Sequence, residues 1–152
     1  MAIPEQLAAL VGSWKGTNRL NLPFTPDPIF ESPSNGIVRK RANGACLEIE
    51  YDWVYEGERR EGFIVISVGK GGDASAVWTD GWHSKDVLMT CEGRVTGAGG
   101  VDLKGNYRVE GHPDWGWRTE IVPGADSFKY LMFNVSPEGT EEWAVETEFT
   151  RV

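Results

Sequence analysis

A chain of 152 residues with 15 Lys and Arg against 23 Asp and Glu carries a formal charge of −8. Acidity on this scale, with no compensating basic cluster, repels phosphate backbones and anionic bilayers, which excludes general nucleic-acid binding and adsorption to such membranes. The length fits one domain over residues 1–152, and 19 glycines beside 7 tryptophans favour many short strands and turns.

The opening segment, Met1 to Val11, has no basic stretch and holds Pro4 and Glu5, so no secretory signal is expected there. No apolar run approaches the length that spans a bilayer. Together these predict a cytoplasmic protein that does not insert in membranes. Pro4 at a first helical position, Glu5 at the positive end of the dipole, and Leu7, Leu10 and Val11 on one face predict a short helix over 4–11, ended by Gly12.

From residue 13 the hydrophobic period changes from 3.6 to 2. Strands are expected at 13–20, 35–42, 45–56, 60–69, 75–81, 86–94, 100–109, 115–122, 127–135 and 141–151, about ten in all. A proline-rich stretch, 21–33, reads as a lid or crossing loop. Glycine links at 69–73, 97–100 and 137–140 are of hairpin length, and no linker holds a crossover helix, so successive strands pair antiparallel. Cys46 and Cys91 lie in separate strands and read as reduced structural thiols.

Alternation gives each strand a wet face and an apolar face. Leu47, Ile49, Tyr51, Trp53 and Tyr55 oppose Cys46, Glu48, Glu50 and Asp52; Trp143, Val145, Thr147 and Phe149 oppose Glu142, Ala144, Glu146 and Glu148. A meander of about ten such strands leaves two raw edges unless it closes. The fold expected is therefore all-β: a closed antiparallel up-and-down β-barrel with a short N-terminal helix, ahead of a sandwich. Inward aromatic parity then lines the interior with Trp14, Tyr51, Trp53, Tyr55, Tyr107, Trp115, Trp117, Trp143 and Phe149, and inward Asn18, Thr119 and Thr147 can orient a ligand or bond to one another.

Leu10-Val-Gly-Ser-Trp-Lys-Gly16 resembles the Leu-x-Gly-x-Trp-x-Gly start of calycins, the lipocalin and fatty-acid-binding-protein superfamily. Val77-Trp-Thr-Asp-Gly-Trp-His83 and the stretch from Trp117 to Arg151 are similar to a bacterial calycin-like family of unknown function. The resemblance implies a closed barrel with an internal pocket and no particular reaction. It also implies a structural pair in which Arg151 of the last strand stacks on Trp14 of the first. Carboxylate capture by a late-strand arginine, as in fatty-acid-binding barrels, does not carry over, because the chain ends Thr-Arg-Val without the accompanying tyrosine.

The histidines are His83 and His112. His83 follows Asp80 in a turn near a barrel rim and reads as a hairpin-end histidine, a general base oriented by Asp80, or a haem ligand as in haem-binding calycins. His112, before Pro113, reads as solvated. Two isolated histidines and separated cysteines supply no zinc site, no Gly-x-Ser-x-Gly elbow is present, and no glycine run is a phosphate cradle. Arg39-Lys-Arg41 reads as a solvated basic cluster or as a lure for an anionic head group at the mouth. The function expected is binding of a small hydrophobic or amphipathic molecule against Tyr51, Trp53, Tyr55, Trp82, His83, Trp117 and Trp143, with no metal and no cofactor. Catalysis on the same scaffold, with haem at His83 or as a cofactor-free isomerase or lyase, is the second reading, a partner-binding module the third. A homodimer is compatible with the sequence.

Overall fold

The structure, a computed structural model, describes residues 3–84 and 86–152; Met1, Ala2 and Lys85, which belong to the opening segment and the 80–86 turn read above, lie outside them. One short helix, α1 (Glu5–Ala8), precedes ten strands. These are β1 (Gly12–Asn21), β2 (Ile29–Arg41), β3 (Cys46–Tyr55), β4 (Glu58–Val68), β5 (Asp73–Asp80), β6 (Met89–Val95), β7 (Val101–Tyr107), β8 (Trp115–Pro123), β9 (Ser127–Val135) and β10 (Glu141–Arg151). Each strand pairs antiparallel with the next, and β10 pairs with β1 from Trp14↔Arg151 to Leu20↔Val145, closing the barrel. Closure removes both sheet edges, as the half-wet strands require.

Two elements differ from expectation. The helix is a single turn, because Gly12 already begins β1 and leaves the chain too short to propagate. The proline-rich stretch is strand from Ile29 onward: Pro33 pairs with Thr17 of β1, while the β2–β3 ladder begins only at Gly36↔Tyr51. Where that ladder is missing, side chains replace it. Ser34 Oγ donates to Asp52 O at 2.6 Å, and the Asn35 and Val54 N–H groups bond to Asp52 Oδ1 and Ser32 Oγ. A proline without an N–H is tolerated there because no ladder bond is asked of it.

The interior has two unlike ends. Around α1 it is solid: Leu7, Leu10, Trp14, Phe128 and Phe149 are buried, with Trp14 edge-on to Phe128 at 4.8 Å and Phe128 stacked on Phe149 at 4.9 Å. Trp14 Nε1 donates to Leu10 O at 2.7 Å, and the Arg151 guanidinium lies 4.2 Å from the Trp14 ring centroid while donating to Ala9 O and Val11 O. That arginine thus bonds carbonyls left over at the end of the helix. Higher up, Asn18 and Thr147 bond to each other at 2.8 Å.

The wet faces carry the charge. Arg39 and Arg41 pair with Glu50 and Glu48 across β2–β3, at the end of β2 away from the proline loop, so the basic cluster is neutralised on the outer wall and no lure at the mouth. Cys46 and Cys91 are free thiols; burial pushes the Cys91 thiol up to about 11. Among the described residues no helix is long and apolar enough to cross a membrane, and no three His, Cys, Asp or Glu side chains converge as a metal site.

Candidate functional site

The opposite end, bordered by Leu22 to Phe24, Trp82 to Ser84, Val87, Arg108 and His112, is open. A cavity of about 440 Å³ lies between Trp78, His83, Met89, Tyr107, Trp117 and Asn134. A second, also about 440 Å³, runs from Leu20 and Phe24 past Trp82, His83 and Asn134 to Trp143, and a third of about 350 Å³ adds His112 and Trp115. Asn134 borders all three, and His83 the first two. The three hollows lie side by side at this end of the barrel, and His83 walls two of them.

Local chemistry explains why His83 points there. Asp80, the last residue of β5, is 1% exposed and folds the following turn onto itself. Its Oδ1 accepts the Trp82 N–H at 2.9 Å and the His83 N–H at 3.0 Å. Ser84 Oγ accepts the Asp80 N–H at 2.8 Å. Such side-chain-to-backbone bonds are how Asp and Ser build turns. Oδ2 accepts the Tyr51 hydroxyl at 2.8 Å, and the Tyr51 hydroxyl oxygen in turn accepts Trp78 Nε1–H at 2.9 Å, so one chain of bonds ties β3 to β5 across the interior. Burial alone would push the Asp80 carboxyl up; contact with the His83 ring, its charge, and the two N–H groups outweigh burial and hold it below the usual value. Burial pushes the Tyr51 hydroxyl well above its usual range, and Tyr130 and Asp80 push the same way, which keeps Tyr51 a donor.

The imidazole is 13% exposed and sits among four indoles, with centroids 4.7 Å to Trp82, 5.4 Å to Trp117, 5.6 Å to Trp53 and 6.3 Å to Trp78. Trp78 and Trp117 are stacked at 5.3 Å with 18° between their planes. Nδ1 lies 3.3 Å from Asp80 Oδ1 but forms no well-aligned hydrogen bond there. Tyr107 donates to Asn134 Oδ1 at 2.6 Å, fixing the amide. Five buried polar atoms have no partner among the described residues: Arg60 Nε, His83 Nδ1, Trp117 Nε1, Thr119 Oγ1 and Tyr130 Oη.

The residues singled out from the sequence separate into layers. His83 and Trp117 wall the first cavity, and Trp82, His83 and Trp143 the second. Tyr51, Trp53 and Tyr55 stand behind them: Tyr51 anchors Asp80, while Trp53 and Tyr55 pack on Trp82. Strict alternation places Trp143 inward. A bulge between Trp143 and Val145 instead registers it with Phe133 on the outer face, with Arg19 5.3 Å from its ring centroid, so it reaches the second cavity only from the rim. Asn134 escaped the sequence reading although its signal was legible, being the one polar residue on the Phe128, Tyr130, Met132, Asn134 face of β9. Trp78 shares the inward parity of Ala74, Ala76 and Asp80 in the same way.

A closed ten-strand antiparallel barrel, plugged at one end and hollow at the other, is the class of protein that this arrangement defines. Among solved structures, the crystal structure of Rv2717c from M. tuberculosis superposes with a TM-score of 0.65 over 99% of each chain at 15% identity. At that identity the likeness is one of fold. No protein-family model matches the chain, and no curated protein does.

Proposed function

We propose that the protein binds a small, largely planar, hydrophobic or amphipathic molecule in the mouth of the barrel. The observation that carries this reading is the pair of adjacent hollows that share His83 and Asn134, one walled by stacked Trp78 and Trp117 and the other by Trp82. Indole walls with a few convergent polar groups are the usual make-up of a small-molecule site. Phe24, 82% exposed, and Val87, 61% exposed, border the hollow and extend an apolar lip beyond it. The solid packing around α1 keeps the ligand near the rim. The reading needs no metal and no cofactor.

Titrating fatty acids, retinoids, flat aromatic acids and haemin while recording tryptophan fluorescence tests it. Saturable quenching at micromolar ligand, weakened at least about tenfold by Trp117→Ala, which removes a wall worth more than 1.4 kcal/mol, is expected. Indifference to every probe, or quenching unchanged in that variant, overturns it. A Soret band lost in His83→Ala would instead favour haem ligation.

A further inference from the structure

We propose that the mouth cavity is catalytic as well as receptive: His83, oriented by Asp80, acts as a general base that moves a proton on a planar conjugated carbonyl compound, while Asn134 holds the carbonyl oxygen. The proposal rests on the binding reading and adds a reaction to it.

The first support is the tautomer. Nδ1 faces the Asp80 carboxylate at 3.3 Å, and an ionised carboxylate only accepts, so the neutral ring carries its hydrogen on Nδ1 and a lone pair on Nε2. Buried Nδ1 has no well-aligned hydrogen-bond partner among the described residues, whereas a buried histidine nitrogen with a purely structural task is satisfied. Base–orienter contacts of this length tighten when a substrate docks. Asp80 is itself held by Tyr51 and by two backbone N–H groups, so it stays ionised and stabilises the imidazolium that forms, without taking the proton.

The second support is the facing amide. Tyr107 occupies Asn134 Oδ1, which leaves Nδ2–H to donate, and Asn134 borders the same two cavities as His83. A donor aimed at an oxygen that gains charge is the other half of proton abstraction next to a carbonyl. Trp78 and Trp117, stacked on each other, give the first cavity a flat aromatic wall against which a planar conjugated substrate can lie.

The step balances without an oxidant or cofactor. Nε2 takes a proton from the carbon beside the carbonyl; the C–H electron pair becomes the C=C bond of an enolate, and the C=O pair moves to the oxygen held by Asn134. The imidazolium returns the proton to a conjugated carbon as the carbonyl re-forms, giving an isomer of the substrate.

Two measurements test this. In ¹⁵N-labelled protein, long-range proton–nitrogen correlations should show the histidine absent from His83→Gln as the Nδ1–H tautomer; an Nε2–H tautomer overturns the proposal. Arylpyruvates and β,γ-unsaturated aryl ketones are then incubated with the protein in D₂O, following tryptophan quenching for binding and proton exchange by NMR for chemistry. Exchange is expected to rise by about 10²–10⁴-fold, the span of a positioned base. Read at ligand concentrations that saturate each variant's own quenching, it should fall to background in His83→Gln and by about tenfold or more in Asn134→Ala, with cooperative melting kept in both. Because Asp80 also builds the turn, these two variants carry the test. Quenching without exchange, or exchange that survives His83→Gln, overturns the catalytic proposal alone; absence of quenching overturns the binding reading beneath it.

Discussion

Asp80 shows how one side chain couples stability to the site. It accepts three hydrogen bonds and lies beside His83 in a buried position. Asp80→Asn keeps the shape but removes the charge, and should cost about 2 kcal/mol at pH 7, the usual penalty for weakening a buried charge-assisted network. The folded-state carboxyl is held below its ordinary value. Its contribution is therefore complete above the unfolded pKa of about 3.9 and disappears as pH falls through the lower folded value. Melting curves of the two proteins should differ most near neutrality and converge in acid; a gap that widens in acid would contradict this. Gly62 is fixed by the same network. A Cβ there would stand 2.6 Å from the Tyr51 hydroxyl oxygen, so Gly62→Ala should displace Tyr51 from Asp80 and lower the melting temperature. Overpacking of a dense interior costs about 1–3 kcal/mol, and differential scanning calorimetry against Gly97→Ala, where a Cβ meets open space and the backbone is not left-handed, provides the control.

Single elements matter through their ends. α1 is one turn long and cannot stand alone; it stays because Leu7 and Leu10 are buried and Arg151 bonds its trailing carbonyls while covering Trp14. Arg151→Ala should therefore lose about 1 kcal/mol and accelerate amide exchange over residues 8–11, with the mouth cavity unaffected. Exchange unchanged in that segment would show that the packed leucines suffice. β10 carries the other lesson. Its alternation was legible as far back as Val145, where Thr147 and Phe149 point inward as read, but the bulge beside Ala144 turned Trp143 out. A bulge has no strong local signal here: Trp-Ala-Val is as good a regular strand as a bulged one, and only the register imposed by β9 selects between them.

At the scale of the molecule, closure by β1 and β10 is what makes ten half-wet strands stable. Deleting residues 146–152 removes most of that ladder and reopens two edges. The expected result is loss of cooperative unfolding and concentration-dependent aggregation, seen by circular dichroism and light scattering. The acids that give the net charge of −8 lie largely on the outer wall, several in ion pairs, as where Arg118 meets Asp102, Glu120 and Glu141. The amino-acid sequence by itself determined the strands, their antiparallel order, the barrel and the aromatic inner face, because a period of two with glycine punctuation is local information. Tertiary structure alone decided which part of that face is filled and which is hollow. Fourteen residues of spacing from Leu103 to Trp117, or twenty-nine from Tyr51 to Asp80, say nothing of depth along the barrel axis. Depth depends on the register of all ten strands at once, and it is depth that set Phe149 in a solid core and His83 in an open mouth.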